Sequence, residues 1–98
     1  MTIIATFAPS YTKGVSVSPA APSASTQVGA GSKTICLTNT GANICYVRIG
    51  VSGVAATTAD YPVLSGSQVT ISKNMDDTHV AYISASGTTL HIIPGEGF

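Results

Sequence analysis

Charge is what this sequence has least of. Of its 98 residues, 8% are Asp, Glu, Lys or Arg, where an average soluble domain carries about 25%. Four basic and four acidic residues cancel to a formal net charge of zero. Phosphate backbones are held by clustered lysine and arginine, so no nucleic-acid partner is expected. The same scarcity excludes a basic anchor on a membrane surface. Tryptophan is absent and leucine occurs only 3 times. Glu, Gln, Lys and Arg, the other good helix formers, are also scarce, which leaves little to build a helix from. Long apolar runs are missing too. The longest uncharged span, Gly14 to Ser32, contains Pro19, Pro22 and several serines, so no transmembrane helix and no membrane partner are expected. Met1–Pro9 has no basic n-region leading into a long apolar stretch. No Asn-x-Ser/Thr acceptor occurs, and cytoplasmic synthesis is the expectation.

What is present points to β structure. Valine and isoleucine number 9 each, threonine 13 and serine 12. β-Branched side chains suit a pleated, half-buried surface. With 44% hydrophobic residues, the chain is too apolar to remain disordered. Its length suits one domain with one modest core. A neutral, charge-poor surface gives little colloidal repulsion, as fits a protein that works assembled.

Residues 1–12 read as an N-terminal arm, and 13–98 as a single β-sandwich domain. Gly14–Ser18 alternates apolar and polar, the period of a strand. Ser18–Thr26 reads as extended loop or edge strand, given Pro19 and Pro22. Lys33–Thr38 and Ile44–Ile49 read as a hairpin around Asn39–Asn43. Pairing Thr38 with Ile44 puts Ile35, Leu37, Cys45, Val47 and Ile49 on one apolar face, and Thr34, Cys36, Tyr46 and Arg48 on the other. Gly50–Pro62 is a long connection that suggests a crossing between sheets. Val63–Leu64 is a short strand piece, Gln68–Ser72 alternates again, and Lys73–Thr78 is a polar turn. His79–Ser84 and Thr88–Ile93 read as a second hairpin around Ala85–Gly87. Its two apolar faces imply cover by another strand or subunit. The fold expected is all-β: a small antiparallel β-sandwich or jelly roll of six to eight short strands.

Chemistry-bearing residues are few. Cys36 and Cys45 match no zinc spacing, and the preferred register sends them to opposite faces, so both are expected as free, small apolar side chains. His79 and His91 lie on the two arms of the second hairpin, and one register brings them together. A metal pair would also need a third ligand. Asp76 and Asp77 are adjacent in a polar turn, which suits solvated charges. Gly29–Thr34 has some features of a phosphate loop, but Ser32 breaks the Gly-Lys-Ser/Thr ending and a strand follows where a helix is needed. Gly50–Val54 misses the spacing of a nucleophile elbow. Four acids give no evident pair for glycoside hydrolysis. No catalytic residue, cofactor site or metal site is assigned, and no enzyme activity is expected. For a sugar-binding role, Tyr46 and Tyr61 are the candidate platforms. The aromatics near the chain ends, Phe7, Tyr11 and Phe98, are the candidate assembly contacts, because termini stay loose unless something ties them down.

Three segments together, Thr38-Asn39-Thr40-Gly41-Ala42-Asn43-Ile44-Cys45-Tyr46-Val47-Arg48, Tyr82-Ile83-Ser84-Ala85-Ser86-Gly87-Thr88-Thr89-Leu90 and Gly95-Glu96-Gly97-Phe98, resemble small virion proteins of tailed bacteriophages and prophages. The resemblance is to the short β-sandwich decoration, or cement, proteins of the capsid exterior and runs from about Lys33 onward. It implies a structural role without catalysis: bridging major capsid subunits, as a homotrimer or other homo-oligomer, on the outer surface of the virion. Related sandwiches in phage tails, necks and fibres give the alternative, a binding module for a surface glycan or partner protein.

Overall fold

The computed structural model describes residues 8–9, 14–28, 33–74 and 76–96. Among these residues there is no helix. Nine strands are present: β1 (Ala8–Pro9), β2 (Val15–Val17), β3 (Ala24–Gln27), β4 (Thr34–Asn39), β5 (Cys45–Gly50), β6 (Tyr61–Val63), β7 (Gln68–Ser72), β8 (His79–Ile83) and β9 (Leu90–Glu96). They form two antiparallel sheets. One runs β1–β9–β4–β7, with β2 also paired to β9; the other runs β3–β8–β5–β6. Of the expected arm, only Ala8 and Pro9 are described, and they pair with Glu96 and Gly95.

The pairing is nested. β2 lies on β9, β3 on β8, β4 on β7, and β5 on β6. One long hairpin, with its turn between β5 and β6, is thus rolled so that successive pairs fall alternately in the two sheets. That is jelly-roll connectivity, and the all-β sandwich expected from the sequence is the fold.

Period-2 alternation sends one set of side chains inward from each sheet. Val15 and Val17, Ile35 and Leu37, Val69 and Ile71, and Leu90 and Ile92 face inward from the first sheet. Cys45, Val47, Val63, Val80 and Tyr82 meet them from the second. β4 is central and buried on both faces: Ile35 and Leu37 enter the core, while Thr34 and Cys36 are buried on the outer side.

Both expected hairpins are absent as pairings. β4 binds β7 and β9, β5 binds β6 and β8, and the strands of each expected hairpin lie in different sheets. Asn39–Asn43 and Ala85–Gly87 therefore turn corners between sheets. The face assignment of the first hairpin survives, because each strand still turns its apolar set inward. Alternation looks the same in either arrangement, and only long-range pairing separates them.

The 51–60 connection corrects another expectation. It joins β5 to β6, neighbours in one sheet, and does not cross between sheets. It lies against that sheet's outer face instead. Asp60 reaches Arg48 on this face at 3.9 Å, and the Ala56 N–H donates to Ser23 Oγ at 2.9 Å, beside the far edge strand. Ala81, an outer-face residue in the middle of the sheet, is completely buried. Part of the second apolar face of β8 is therefore buried within this one chain, on the side of the sheet that carries the connection.

Candidate functional site

Sheet edges expose unpaired N–H and C=O groups, and natural proteins blunt them with proline, charge or brevity. Three of the four edges here are blunted. The β1 and β2 edge is split into two short pieces and contains Pro9. β3 has four residues and follows Pro22. β6 has three residues with Pro62 at its centre. β7 differs: Gln68-Val69-Thr70-Ile71-Ser72 has no proline, no glycine and no charge.

β6 and β7 share one flank of the sandwich, joined by the turn 64–67. This turn is held firmly. The Ser67 N–H and Oγ both donate to the Leu64 carbonyl, at 3.0 and 2.7 Å. The Gly66 N–H donates to the Asn39 carbonyl at 2.9 Å, and Ser65 Oγ to the Gly41 carbonyl at 2.7 Å. Gly66 has φ of 75°, a conformation glycine adopts without penalty. The turn holds Leu64 outward at 58% exposure, and Tyr61 on β6 is 46% exposed. No residue from Tyr61 to Ser72 is charged. The flank thus combines exposed apolar side chains, a neutral surface and a strand edge that is unpaired among the described residues.

The end of the sandwich beside this flank is locked by a buried asparagine. Asn39 has no exposed surface. Its Nδ2 donates to the carbonyls of Asn43 (2.8 Å) and Val63 (3.0 Å), and its Oδ1 accepts from the Gly41 N–H (3.0 Å) and Thr88 Oγ1 (2.7 Å). One side chain thus ties the 40–44 connection to β6 and to the connection between β8 and β9. Gly41 packs so tightly that a Cβ there would collide with Thr88 Oγ1 and the Thr89 amide. Nearby, buried Ser84 donates to the Ile44 carbonyl at 2.8 Å and accepts from the Gly87 N–H at 3.2 Å.

The other candidates separate. His79 faces outward from the second sheet, opposite Gly50 and Gln27. His91 faces outward from the first, opposite Thr38 and Ser16. The register that would bring the two together does not form, because their strands belong to different sheets. Cys36 and Cys45 are both free and buried. Burial pushes the Cys45 thiol up to about 11, which keeps it protonated and unreactive at neutral pH, and burial also raises the Tyr82 phenol. Tyr61 stands on the edge strand. Tyr46 is half-buried on the outer face, opposite Pro62 and Ile83. Neither lines the open recess of about 340 Å³ bounded by Ile49, Ser72, Lys73, Asn74 and Asp77. There Lys73 Nζ donates to the carbonyls of Asn74 and Asp77, at 3.0 and 2.7 Å. Among the described residues, no three His, Cys, Asp or Glu side chains are grouped to hold a metal ion. Phe7, Tyr11 and Phe98 lie outside the described residues.

Sequence reading missed Leu64, Asn39 and the edge at β7. Asn39 has the composition of an ordinary turn residue, and its burial follows only from the meeting of distant loops. The uncharged run from Tyr61 to Ser72 was a legible sign of the flank. No family model, no curated protein and no solved structure matches this chain.

Proposed function

We propose that this chain is a structural virion protein that decorates and stabilises a bacteriophage capsid by bridging major capsid subunits. The observation that carries this reading is the β6–β7 flank, where Tyr61, Leu64 and an unblunted edge strand share a surface without charge. A bridging protein works through flat, neutral contacts at an edge. A glycan-binding module needs a concave site with an aromatic floor, and the recess here has no tyrosine in its wall. The resemblance of residues 38–48, 82–90 and 95–98 to decoration proteins supports the same reading. Binding only the assembled shell would stabilise that state by mass action.

The test is co-sedimentation of the purified chain with capsids that lack it. Binding should saturate at a fixed ratio to the major capsid subunit. Leu64→Ser combined with Tyr61→Ser should weaken it with the fold intact by circular dichroism. Failure to bind shells, together with retention on a glycan surface, would transfer the chain to the tail or fibre class.

A further inference from the structure

The β7 edge has a hydrogen-bonding pattern that fits a second copy of itself. In an antiparallel ladder, opposite residues alternate between pairs that exchange hydrogen bonds and pairs that do not. Two bonds fix the phase between β4 and β7. The Asn39 N–H donates to the Ser67 carbonyl at 3.0 Å, and the Lys73 N–H to the Lys33 carbonyl at 2.9 Å. With the register Thr34↔Ser72, Ile35↔Ile71, Cys36↔Thr70, Leu37↔Val69 and Thr38↔Gln68, the bonded pairs are those of Val69 and Ile71. Gln68, Thr70 and Ser72 therefore turn their N–H and C=O groups away from β4, toward the open flank. All three residues are exposed.

We propose that β7 pairs antiparallel with β7 of a second copy across a two-fold axis at Thr70, joining two sandwiches through one continuous sheet. This rests on reading the β6–β7 flank as an assembly surface, and not on the identity of the particle. Centring on Thr70 sets Thr70 opposite Thr70, Gln68 opposite Ser72, and Val69 opposite Ile71. Every outward-pointing residue then meets an outward-pointing residue, so all three such pairs can exchange hydrogen bonds. Moving the centre by one residue either way keeps the phase but leaves fewer such pairs. The side chains match as well. Threonine faces threonine on the outer surface, a favourable cross-strand pair. Val69 and Ile71, only partly buried at present, gain cover on the inner side.

No like charges are brought together, because the strand has none. A surface that complements itself gives an isologous two-fold contact, a dimer among the homotrimer or other homo-oligomers that the resemblance implies. Strand pairing alone covers little area against the roughly 1,200–2,000 Å² of a stable interface. Tyr61 and Leu64 on the same flank supply further apolar surface.

The experiment is sedimentation equilibrium of the full chain at up to about 1 mM, with two substitutions at the axis. The parent should dimerise reversibly. Thr70→Lys and Thr70→Asp each place like charges face to face, and each should weaken self-association at least about tenfold. Thr70 is exposed, so both variants should keep the parent's circular dichroism. Mixing the two should restore a dimer, now of one copy of each. A monomeric parent, an undiminished Thr70→Lys dimer, or a mixture no more associated than its components would each overturn the pairing. If the parent is monomeric and still saturates capsids, the two-fold fails and the virion reading stands. If the parent dimerises as described and has no affinity for capsids, the two-fold stands and the virion reading fails.

Discussion

The two ends of the sandwich are built differently. At one end, the connections 18–23, 40–44, 64–67 and 84–89 bond to one another. Asn39 reaches Asn43, Val63 and Thr88, Asn43 Nδ2 donates to the Gly87 carbonyl, and the Thr88 N–H donates to the Pro19 carbonyl. At the other end, side-chain bonds fall mostly within single connections. Asp60 accepts from the Thr57 N–H and Oγ1, and Lys73 caps carbonyls of its own turn. Bonds between loops make one loop's geometry depend on all the others. Bonds within a loop leave it less dependent on the others, although Ala56 also bonds to Ser23 and Val28 to Thr78 at this end. The locked end therefore fixes the turn that presents Leu64 and starts β7, so the proposed assembly flank has a rigid base.

Substitutions can break this contrast. The largest effect should come from Asn39→Ala, which leaves two carbonyls, an amide and a hydroxyl without their partner at a buried site. A loss of about 3 kcal/mol or more is expected in urea unfolding. Gly41→Ala should follow, at about 1–3 kcal/mol, because Thr88 and Thr89 must move to admit a methyl group.

Alkali should also act on the locked end, where Cys45 Sγ lies 3.9 Å from Asn39 Nδ2. Its thiol is raised by burial from the ordinary 9.0 to about 11, so the folded state favours the protonated form. The resulting stability is complete below pH 9 and is lost as pH rises toward about 11. Tyr82, raised from 10.0, adds to the loss at higher pH. Thermal melts of Cys45→Ala should start to fall at a higher pH than those of the parent. The smallest effect should come from the open end. Arg48→Ala removes an exposed, long ion pair to Asp60 and should cost less than about 0.5 kcal/mol by the same urea measurement.

Much of this architecture was legible in the residues. Alternation located β2, β4, β5 and β7 and assigned Ile35, Leu37, Cys45 and Val47 to the inward face. It could not say which strands pair. The stretch 33–49 satisfies a hairpin and a sheet-to-sheet corner equally, and the choice is made by β7 and β9, which are far away in sequence. The hairpin that put His79 and His91 on facing arms failed for the same reason. The 51–60 connection was legible as long, but its path along the outer face depends on Ser23, 33 residues before Ala56 in the chain. The candidate site was less visible still. Proline in β6 and the lack of charge in β7 are plain in sequence, yet an open edge exists only once the order of strands is known.

Residue-resolved amide exchange along β7 tests the central claim, that this flank is an assembly edge, most directly. In dilute solution Val69 and Ile71 should exchange slowly, because they bond to β4, while Gln68, Thr70 and Ser72 should exchange fast. Raising the chain concentration should slow the second set and bring all five residues to similar protection. If Gln68, Thr70 and Ser72 exchange equally fast at every concentration and on assembled shells, the β7 edge stays in water and the flank is not an assembly surface.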